Sequence, residues 1–460
     1  MSVRFILPAA VFFALCLVVE LLINTLFPWR PLSMSLELIP MLLWAGLGLF
    51  LFPFLKNTLS RLLVYVIFFV YLIGNVNSVA SYYLYGHHYL TDLTSANFIY
   101  IAFSYAFVIG LVVGDKYIAD DKKLLAYPEL RKEPATTVFA AGVFVFPIIW
   151  LADEYLALGY LPILSGASII NDMYELSYGK LYGYGVILAF CALFMWSKQL
   201  ETRRGKGQLL LSILLIGVMI FTVLTMVFDG RRVFLLIFIG GLLVFELARN
   251  KGRNIWPMLG KFGLTLVVSY VVLLYVRQGG RLISAADAAQ TLSKVGVEYR
   301  DYAYVVTHLN PGSLQGYSWL GSAVGGFSNW VLLALVGLSK NELVYSGSAY
   351  QLSAVFQSEF GIRVGLFAEL WLQFGLWGLL IAPLVGLFFI WLSKLVYCSR
   401  SEIGRILSSI VFGVAIFSFV GQSSAITGYW SLLIYFSCVW WFLDRFSLDK
   451  NTYEHFKYKR

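Results

Sequence analysis

Apolar runs long enough to cross a lipid bilayer recur along this chain, and they constrain its fold more than any other feature. A membrane-spanning helix needs roughly 20 mostly apolar residues. Runs that approach or reach this length occur at 5–27, 36–55, 62–84, 96–114, 136–152, 183–197, 209–227, 232–248, 257–276, 370–393, 406–421 and 428–443. Only 13% of the residues are charged, about half the share of a soluble domain. The pattern predicts an all-α polytopic membrane protein of about 12 transmembrane helices, folded as a single membrane domain over residues 1–460.

The positions of the basic residues predict the orientation of these helices, because cytoplasmic loops carry an excess of Lys and Arg. With the N-terminus placed in the cytoplasm, the inner segments hold 24 of the 34 basic residues: the start of the chain, 56–61, 115–135, 198–208, 249–261, 394–405 and 444–460. Both termini are therefore expected on the cytoplasmic side. Two outer loops follow from this orientation, at 153–182 and at 277–365. The larger loop is expected to contain amphipathic or re-entrant helices.

Neither the cysteines nor the net charge predicts a cofactor or a soluble partner. The four cysteines lie in or beside apolar runs and form no CxxC pair, so neither a disulfide framework nor a metal site is predicted. The formal net charge of +9 fits the basic loops of a membrane protein. Membrane lipids are therefore expected as partners, and nucleic acid is not.

Paired arginines are the exceptions to the charge bias, because they fall on the predicted outer side. Arg231 and Arg232 open the apolar run in "DGRRVFLLIF", and Arg277 and Arg281 flank "QGG". A guanidinium group offers a planar fork of donors that fits phosphate oxygens in pairs. These positions therefore indicate a site for the phosphate or pyrophosphate group of a lipid. The alternative is that the side chains reach the headgroups or pair with acids such as Asp229.

The large outer loop contains acids and a histidine in "VEYRDYAYVVTH", residues 297–308. If 295–308 is a helix, Glu298 and Asp301 share a face, as do Asp301 and Tyr304. Pro311 and the glycine after it predict the end of that helix. A carboxylate or a neutral histidine such as His308 accepts a proton from a sugar hydroxyl. The alternative is a solvated amphipathic helix that lies on the membrane surface.

Aromatic and acidic residues nearby complete the candidate site. Tyr299, Tyr302 and Tyr317 offer rings for stacking on sugars, although the same residues are typical of a membrane interface belt. Glu359 is placed just outside the membrane as a further sugar-binding candidate. Glu369 lies in an apolar segment, where a carboxylate is costly and often functional. The surrounding glycines favour close helix packing or a broken helix; they stand at 361, 365, 375 and 378.

Four features of the sequence together resemble those of the O-antigen polymerases, the Wzy-type polymerases of oligosaccharide repeat units. They are "GYLPIL" in the first outer loop, "DGRR" at the start of a helix, the loop rich in Arg and Tyr, and "FGIRVGLFAELWLQFGLWG" before the closing helices. The resemblance covers residues 150–460. O-antigen ligases and the peptidoglycan-polymerising family share the general architecture.

The resemblance implies a GT-C-like membrane glycosyltransferase with a large helical periplasmic loop, in the bacterial inner membrane. Such an enzyme joins undecaprenyl-pyrophosphate-linked repeat units on the periplasmic face, with inversion and without metal, cofactor or nucleotide sugar. A chain-length regulator and a flippase are the implied protein partners. The pyrophosphate-binding role falls on Arg231, Arg232, Arg277, Arg281 and Arg300, and the catalytic base is one of Glu298, Asp301 and His308. An O-antigen ligase and a twelve-helix transporter or lipid flippase are the competing interpretations.

Overall fold

The computed structural model of the chain describes residues 40, 42–85, 93–119, 155, 209, 213, 216–217, 220, 232–249, 257, 260, 263–264, 268, 297–314, 337, 348–357, 362–398 and 402–420. Every regular element within these ranges is helical, and no β-strand occurs in them. The described part of the chain is therefore all-α, as the apolar runs predict.

Eight α-helices are described over their full length. They are α1 (Thr58–Tyr85), α2 (Leu93–Ala119), α3 (Arg232–Arg249), α4 (Val297–His308), α5 (Ser348–Val355), α6 (Gly365–Phe374), α7 (Gly378–Cys398) and α8 (Glu402–Phe417). A π-helical turn, Leu47–Leu51, and a 3-10 turn, Phe52–Phe54, precede α1. The predicted runs 5–27, 136–152, 183–197, 209–227, 257–276 and 428–443 lie outside the described residues or touch them only at isolated positions.

Three described stretches are long and apolar enough to cross a membrane: Thr58–Asn75, Ser95–Tyr117 and Gly365–Cys398. They coincide with the predicted spans 62–84, 96–114 and 370–393. Leu42–Phe54, Ile239–Ala248 and Arg405–Phe417 are shorter apolar helices within three further predicted spans. These helices support the interpretation of the chain as a membrane-embedded helical protein.

The chain divides into two compact units. The first contains Met1–Ala126, Ser284–Tyr397 and Ala415–Gly428, and the second contains Tyr127–Ile283, Cys398–Val414 and Tyr429–Arg460. In the second unit, α3 and α8 come close at glycines, because a Cβ on Gly413 would lie 2.8 Å from the Gly241 nitrogen. The single membrane domain over 1–460 and the outer loops at 153–182 and 277–365 stay predictions.

The backbones of α2 and α7 approach each other closely in the first unit. A Cβ placed on Gly110 would lie 2.1 Å from the Pro383 carbonyl oxygen, and one on Gly386 would lie 2.4 Å from the Phe107 carbonyl oxygen. Small residues at such positions let two membrane helices approach along their backbones. The Phe107 ring also packs edge-on against Phe389 of α7 at 5.5 Å between centroids. The glycines therefore fix where these two helices cross.

The apolar stretch Gly365–Cys398 is not one straight helix, because the chain turns back between α6 and α7. A Cβ on Gly378 would lie 2.8 Å from the Leu370 carbonyl oxygen, whereas residues eight apart in a continuous helix are separated by about 12 Å. Gly375 supplies the turn with a φ of 56°, which a glycine adopts without steric cost. The predicted span 370–393 is corrected accordingly: α7 forms the crossing, and 370–374 belong to α6, which runs in the opposite direction. A broken helix is one of the two arrangements, with close helix packing, that the glycine pattern favoured.

The first turn of α6 lies beside the middle of α7. Gly365 has a φ of 77°, and the Leu366 N–H donates to the Ser418 carbonyl oxygen at 2.9 Å. Phe419, the next residue, stacks on Phe389 of α7 with 5.4 Å between ring centroids. Phe389 stands about halfway along α7. Thus α6 is a half-length helix whose N-terminus meets the chain that follows α8.

Near the C-terminal end of α2, Asp115 caps the N-terminus of α1. Its Oδ2 accepts from the backbone N–H groups of Lys56 and Asn57 at 2.9 and 3.0 Å, and its Oδ1 accepts from the Ser60 hydroxyl at 3.1 Å. The first N–H groups of a helix have no partner within the helix itself. The Asp115 side chain is buried, so these bonds are shielded from water.

Replacing Asp115 with alanine is expected to destabilise the first unit by about 2–4 kcal/mol, because buried donors lose their acceptor. The measurement is the apparent unfolding temperature of the purified protein in detergent at one heating rate, since such unfolding is a rate process. Ser393→Ala is the matched control, because the Ser393 hydroxyl accepts a single bond from Asn57 at 2.8 Å. A shift for Asp115→Ala no larger than that of the control would contradict the capping role.

Candidate functional site

Helix α4 is held in the first unit by its buried face. It packs against α1, α2 and α6. The buried residues recur at helical spacing: Tyr299, Tyr302, Ala303, Val305 and Val306. A helix that merely lies on a membrane surface would not insert one face between transmembrane helices. The described α4 is therefore a structural part of the helical unit with one open face.

Tyr299 and Tyr302 fill the core, so the structure differs here from the predicted sugar contact. They are 2% and 1% exposed. The Tyr299 hydroxyl donates to Asn97 Oδ1, and the Tyr302 hydroxyl donates to the Ala96 carbonyl oxygen at 2.8 Å. Burial raises the pKa of both phenols well above the ordinary value. They are neutral donors that fasten α4 to α2, and neither ring offers a free face to a sugar.

The open face of α4 brings together three residues singled out from the sequence. Asp301, Tyr304 and His308 are spaced so that they share one side of the helix. Tyr304 is 36% exposed, His308 is exposed and Asp301 is half-buried. The helix expected over 295–308 is confirmed from Val297 to His308, and so is the shared face of Asp301 and Tyr304. Glu298 and Arg300 lie in the first turn of the same helix.

The contacts of His308 define its neutral tautomer. Its Nδ1 lies 2.8 Å from the Tyr304 carbonyl oxygen and 3.1 Å from Thr307 Oγ1. Because a carbonyl oxygen only accepts, Nδ1 must carry the hydrogen in this bond. The lone pair of the neutral imidazole is then on Nε2. The exposed His308 side chain can thus accept a proton at Nε2, which is the chemistry required of a general base.

The end of α4 lies beside the turn between α6 and α7. Pro311 and Gly312 follow the helix, as predicted, and Gly312 has a φ of 81°. The Leu314 N–H donates to the Leu372 carbonyl oxygen at 3.2 Å. A Cβ on Gly375 would lie 3.0 Å from the Pro311 Cβ. The open face of α4 therefore continues toward the α6–α7 turn.

That turn exposes large apolar side chains. Trp377 is 73% exposed and Leu376 is 72% exposed. Trp is enriched where a membrane meets water, because its ring is apolar and its N–H is polar. Further exposed apolar residues follow along α7 at helical spacing: Leu380, Leu384, Leu387, Trp391 and Leu395. This stripe is typical of a helix that faces lipid, with Trp377 at one end.

Helix α5 is connected to α6 through the carboxyl group of Glu369, which the sequence analysis singled out because it lies in an apolar segment. Glu369 is fully buried, and its Oε1 accepts from the Ser348 hydroxyl at 2.5 Å. Ser348 is the first residue of α5. The costly buried carboxyl of Glu369 therefore has a packing role between two helices. Just after α5, Phe356 packs beside Tyr304 with 5.3 Å between ring centroids; the sequence did not predict this contact, because Phe356 carries no polar group to distinguish it.

Few of the other predicted site residues belong to the described part of the chain. Arg232 is the first residue of α3, in the second unit, so the helix begins at the arginine motif as predicted. Arg231, Arg277, Arg281, Tyr317 and Glu359 lie outside the described residues, and their roles stay predictions. Among the residues that are described, no group of three or more His, Cys, Asp or Glu side chains could hold a metal ion.

Comparison of the chain with protein-family models, with curated proteins and with solved structures found no match. The described helices support the class of helical, membrane-embedded proteins. Any narrower function rests on the motifs in the sequence and on the chemistry of the open face of α4.

Proposed function

We propose that the chain is a GT-C-class membrane glycosyltransferase that polymerises oligosaccharide repeat units linked to undecaprenyl pyrophosphate. In this proposal about 12 helices cross the bacterial inner membrane, both termini are cytoplasmic, and the reaction takes place on the periplasmic face. The observation that carries the proposal is the open face of α4. It presents Asp301 and His308 together, and the Nδ1 bond of His308 leaves Nε2 as a proton acceptor.

The proposed reaction needs one proton acceptor and one anion-stabilising group. The acceptor hydroxyl oxygen attacks the anomeric carbon of the donor chain, and its proton moves to the base. The bond between that carbon and the pyrophosphate oxygen breaks, and the electron pair leaves with the pyrophosphate. Attack from the opposite side inverts the configuration. His308 Nε2 suits the base, with the carboxylates of Asp301 and Glu298 as alternatives.

Arginine side chains are suited to stabilising the pyrophosphate leaving group in this scheme. Charge develops on the pyrophosphate as the bond breaks, and preorganised donors stabilise it. Guanidinium groups bind phosphate oxygens in pairs. The residues proposed for this role are Arg231, Arg232, Arg277, Arg281 and Arg300.

The neighbourhood of the open face suits a lipid-linked substrate. A pyrophosphate on a polyprenyl chain must stay at the membrane surface while its lipid remains in the hydrocarbon. The end of α4 contacts the α6–α7 turn through Pro311 and Gly375, and Trp377 in that turn has the exposure of an interface residue. A base at this level would meet the sugar that is attached to the carrier.

The decisive experiment is a gel of surface polysaccharide from a strain that lacks this gene, complemented with wild-type protein, Arg231→Ala or Arg277→Ala at matched protein levels. Deletion is expected to collapse the ladder to one repeat unit attached to core. Each arginine variant is expected to lower polymer formation by about 10²–10³-fold, since it removes a donor to the developing charge. Lys394→Ala is the control, because Lys394 is an exposed basic residue near the far end of α7.

Other outcomes would favour the competing functions. Long polymer that accumulates without attachment to core would indicate a ligase, which uses the same donor and a different acceptor. An unchanged ladder in the deletion strain would contradict the polymerase proposal and favour a transporter.

A further inference from the structure

Three rings form a continuous aromatic surface on the open side of α4. The rings of Tyr304 and His308 stack with 4.2 Å between centroids and 25° between planes. Phe356, which follows α5, lies 5.3 Å from Tyr304 and is tilted by 58°. Tyr304 and His308 are exposed and Phe356 is half-buried. The two ring orientations form an angled apolar surface next to the proton-accepting nitrogen of His308.

The polar residue that follows Phe356 has an unusual backbone conformation. Gln357 is exposed and has a φ of 50°, the only positive φ of a non-glycine residue among those described. A left-handed residue other than Gly, Asn or Asp costs conformational energy, and such residues gather at binding sites. Gln357 directly follows Phe356, and its side-chain amide offers both donors and acceptors.

The segment that carries Phe356 and Gln357 is held on both sides. The Ser348 hydroxyl fixes the start of α5 to Glu369. Toward its end, Ser353 Oγ accepts from the Ile362 N–H at 3.2 Å. A binding surface that is fixed before the ligand arrives loses less entropy on binding. Phe356 and Gln357 are therefore preorganised relative to α6, which also packs on α4.

We infer that Tyr304, Phe356 and Gln357 form a subsite for one sugar ring of the acceptor repeat unit. The C–H groups of the sugar pack against the exposed edge of the Tyr304–His308 stack and against Phe356, the Gln357 amide binds ring hydroxyls, and one hydroxyl points at His308 Nε2. This inference rests on the proposed function for the identity of the ligand. It replaces Tyr299 and Tyr302, whose rings are buried, as the sugar-binding aromatics.

The test is binding of free repeat-unit oligosaccharide, released from its carrier lipid by mild acid, to the purified full-length protein in detergent. Saturation-transfer difference NMR follows the titration. The dissociation constant is expected to rise about threefold to tenfold in Tyr304→Ala and Phe356→Ala, the range that an aromatic contact supplies. Tyr304→Phe keeps the ring and is expected to bind like wild type. Tyr117→Ala is the control, because Tyr117 is 76% exposed and lies at the far end of α2.

Gln357→Gly tests the polar edge without straining the backbone, because glycine adopts a positive φ freely. Its dissociation constant is expected to rise about threefold for the loss of an amide hydrogen bond, with an unchanged unfolding temperature. Wild-type affinity in Tyr304→Ala, Phe356→Ala and Gln357→Gly would overturn the subsite. No binding by the wild type at millimolar oligosaccharide would overturn it as well.

The same data separate this inference from the proposed function. If the polymer ladder depends on the gene but the three variants bind the oligosaccharide normally, the polymerase proposal stands and the subsite falls. If the variants weaken binding but the ladder is unchanged in the deletion strain, the sugar subsite stands and the polymerase proposal falls.

Discussion

Replacing His308 with alanine is expected to lower polymer formation by about 10²–10⁴-fold, the contribution of a positioned general base. The folded protein is expected to persist, because His308 is exposed and its hydrogen bonds are to atoms of its own helix. The measurement is the initial rate of chain extension by purified protein on lipid-linked repeat units, per mole of folded protein.

Two companion variants separate proton transfer from ring packing. His308→Phe keeps a ring beside Tyr304 and removes the proton acceptor, so it is expected to be as inactive as His308→Ala. Asn310→Ala is the neighbouring control, because the Asn310 side chain is exposed just after the end of α4 and its carbonyl bond to the Ser313 N–H is a backbone contact. It is expected to retain most of the activity.

A different set of chain-extension rates would assign the role of base to another residue. If His308→Phe extends chains at the wild-type rate while Asp301→Asn is inactive, Asp301 takes the proton and His308 has a positioning role. If both variants keep the wild-type rate, neither His308 nor Asp301 is the base, and Glu298→Gln would test the last candidate on α4.

The second large effect concerns folding and follows from the contact between α2 and α7. Gly110→Leu is expected to abolish recovery of monodisperse protein, because even its Cβ would lie 2.1 Å from the Pro383 carbonyl oxygen and 2.7 Å from the Pro383 Cα. Both atoms belong to backbone, so no side-chain rotation relieves the overlap. Overpacking usually costs about 1–3 kcal/mol, and backbone overlap at a helix crossing is expected to exceed that range.

Fluorescence-detected size-exclusion chromatography of the variants in detergent measures this effect. Gly110→Ala is expected to give an intermediate loss of the monodisperse peak. Gly263→Leu is the control, because a Cβ at Gly263 would meet no atom within 4 Å. A Gly110→Leu protein that elutes and unfolds like wild type would show that α2 and α7 do not cross at these glycines.

The sequence predicted the positions of the described membrane-spanning helices, but not that of α5, because a bilayer imposes a length and a composition on any helix that crosses it. Helices α1 and α2 therefore coincide with predicted runs. The direction of α6 was not predictable from composition, since a helix and its reversal have the same hydropathy. The glycines at 365, 375 and 378 were the local signals, and they allowed a break without indicating how sharply the chain turns.

The sequence predicted only part of the candidate site. Helical spacing was enough to place Asp301 and Tyr304 on one face. It was not enough to tell which tyrosines are buried, because a tyrosine ring suits both a core and an interface. Tyr299 faces inward since it packs over Gly74, where a Cβ would lie 2.1 Å from the Tyr299 Cβ. That glycine is distant in sequence, so the loop alone does not reveal the contact.

The half-length helix α6 has a consequence for the order of biosynthesis. In its first turn, the Leu366 N–H donates to the Ser418 carbonyl oxygen. The ribosome adds Ser418 only after α7 and α8 have been made. Until then the start of α6 would expose unpaired backbone to lipid, which is costly in hydrocarbon. The segment before Gly375 is therefore expected to pack in its final position only after Ser418 has been synthesised.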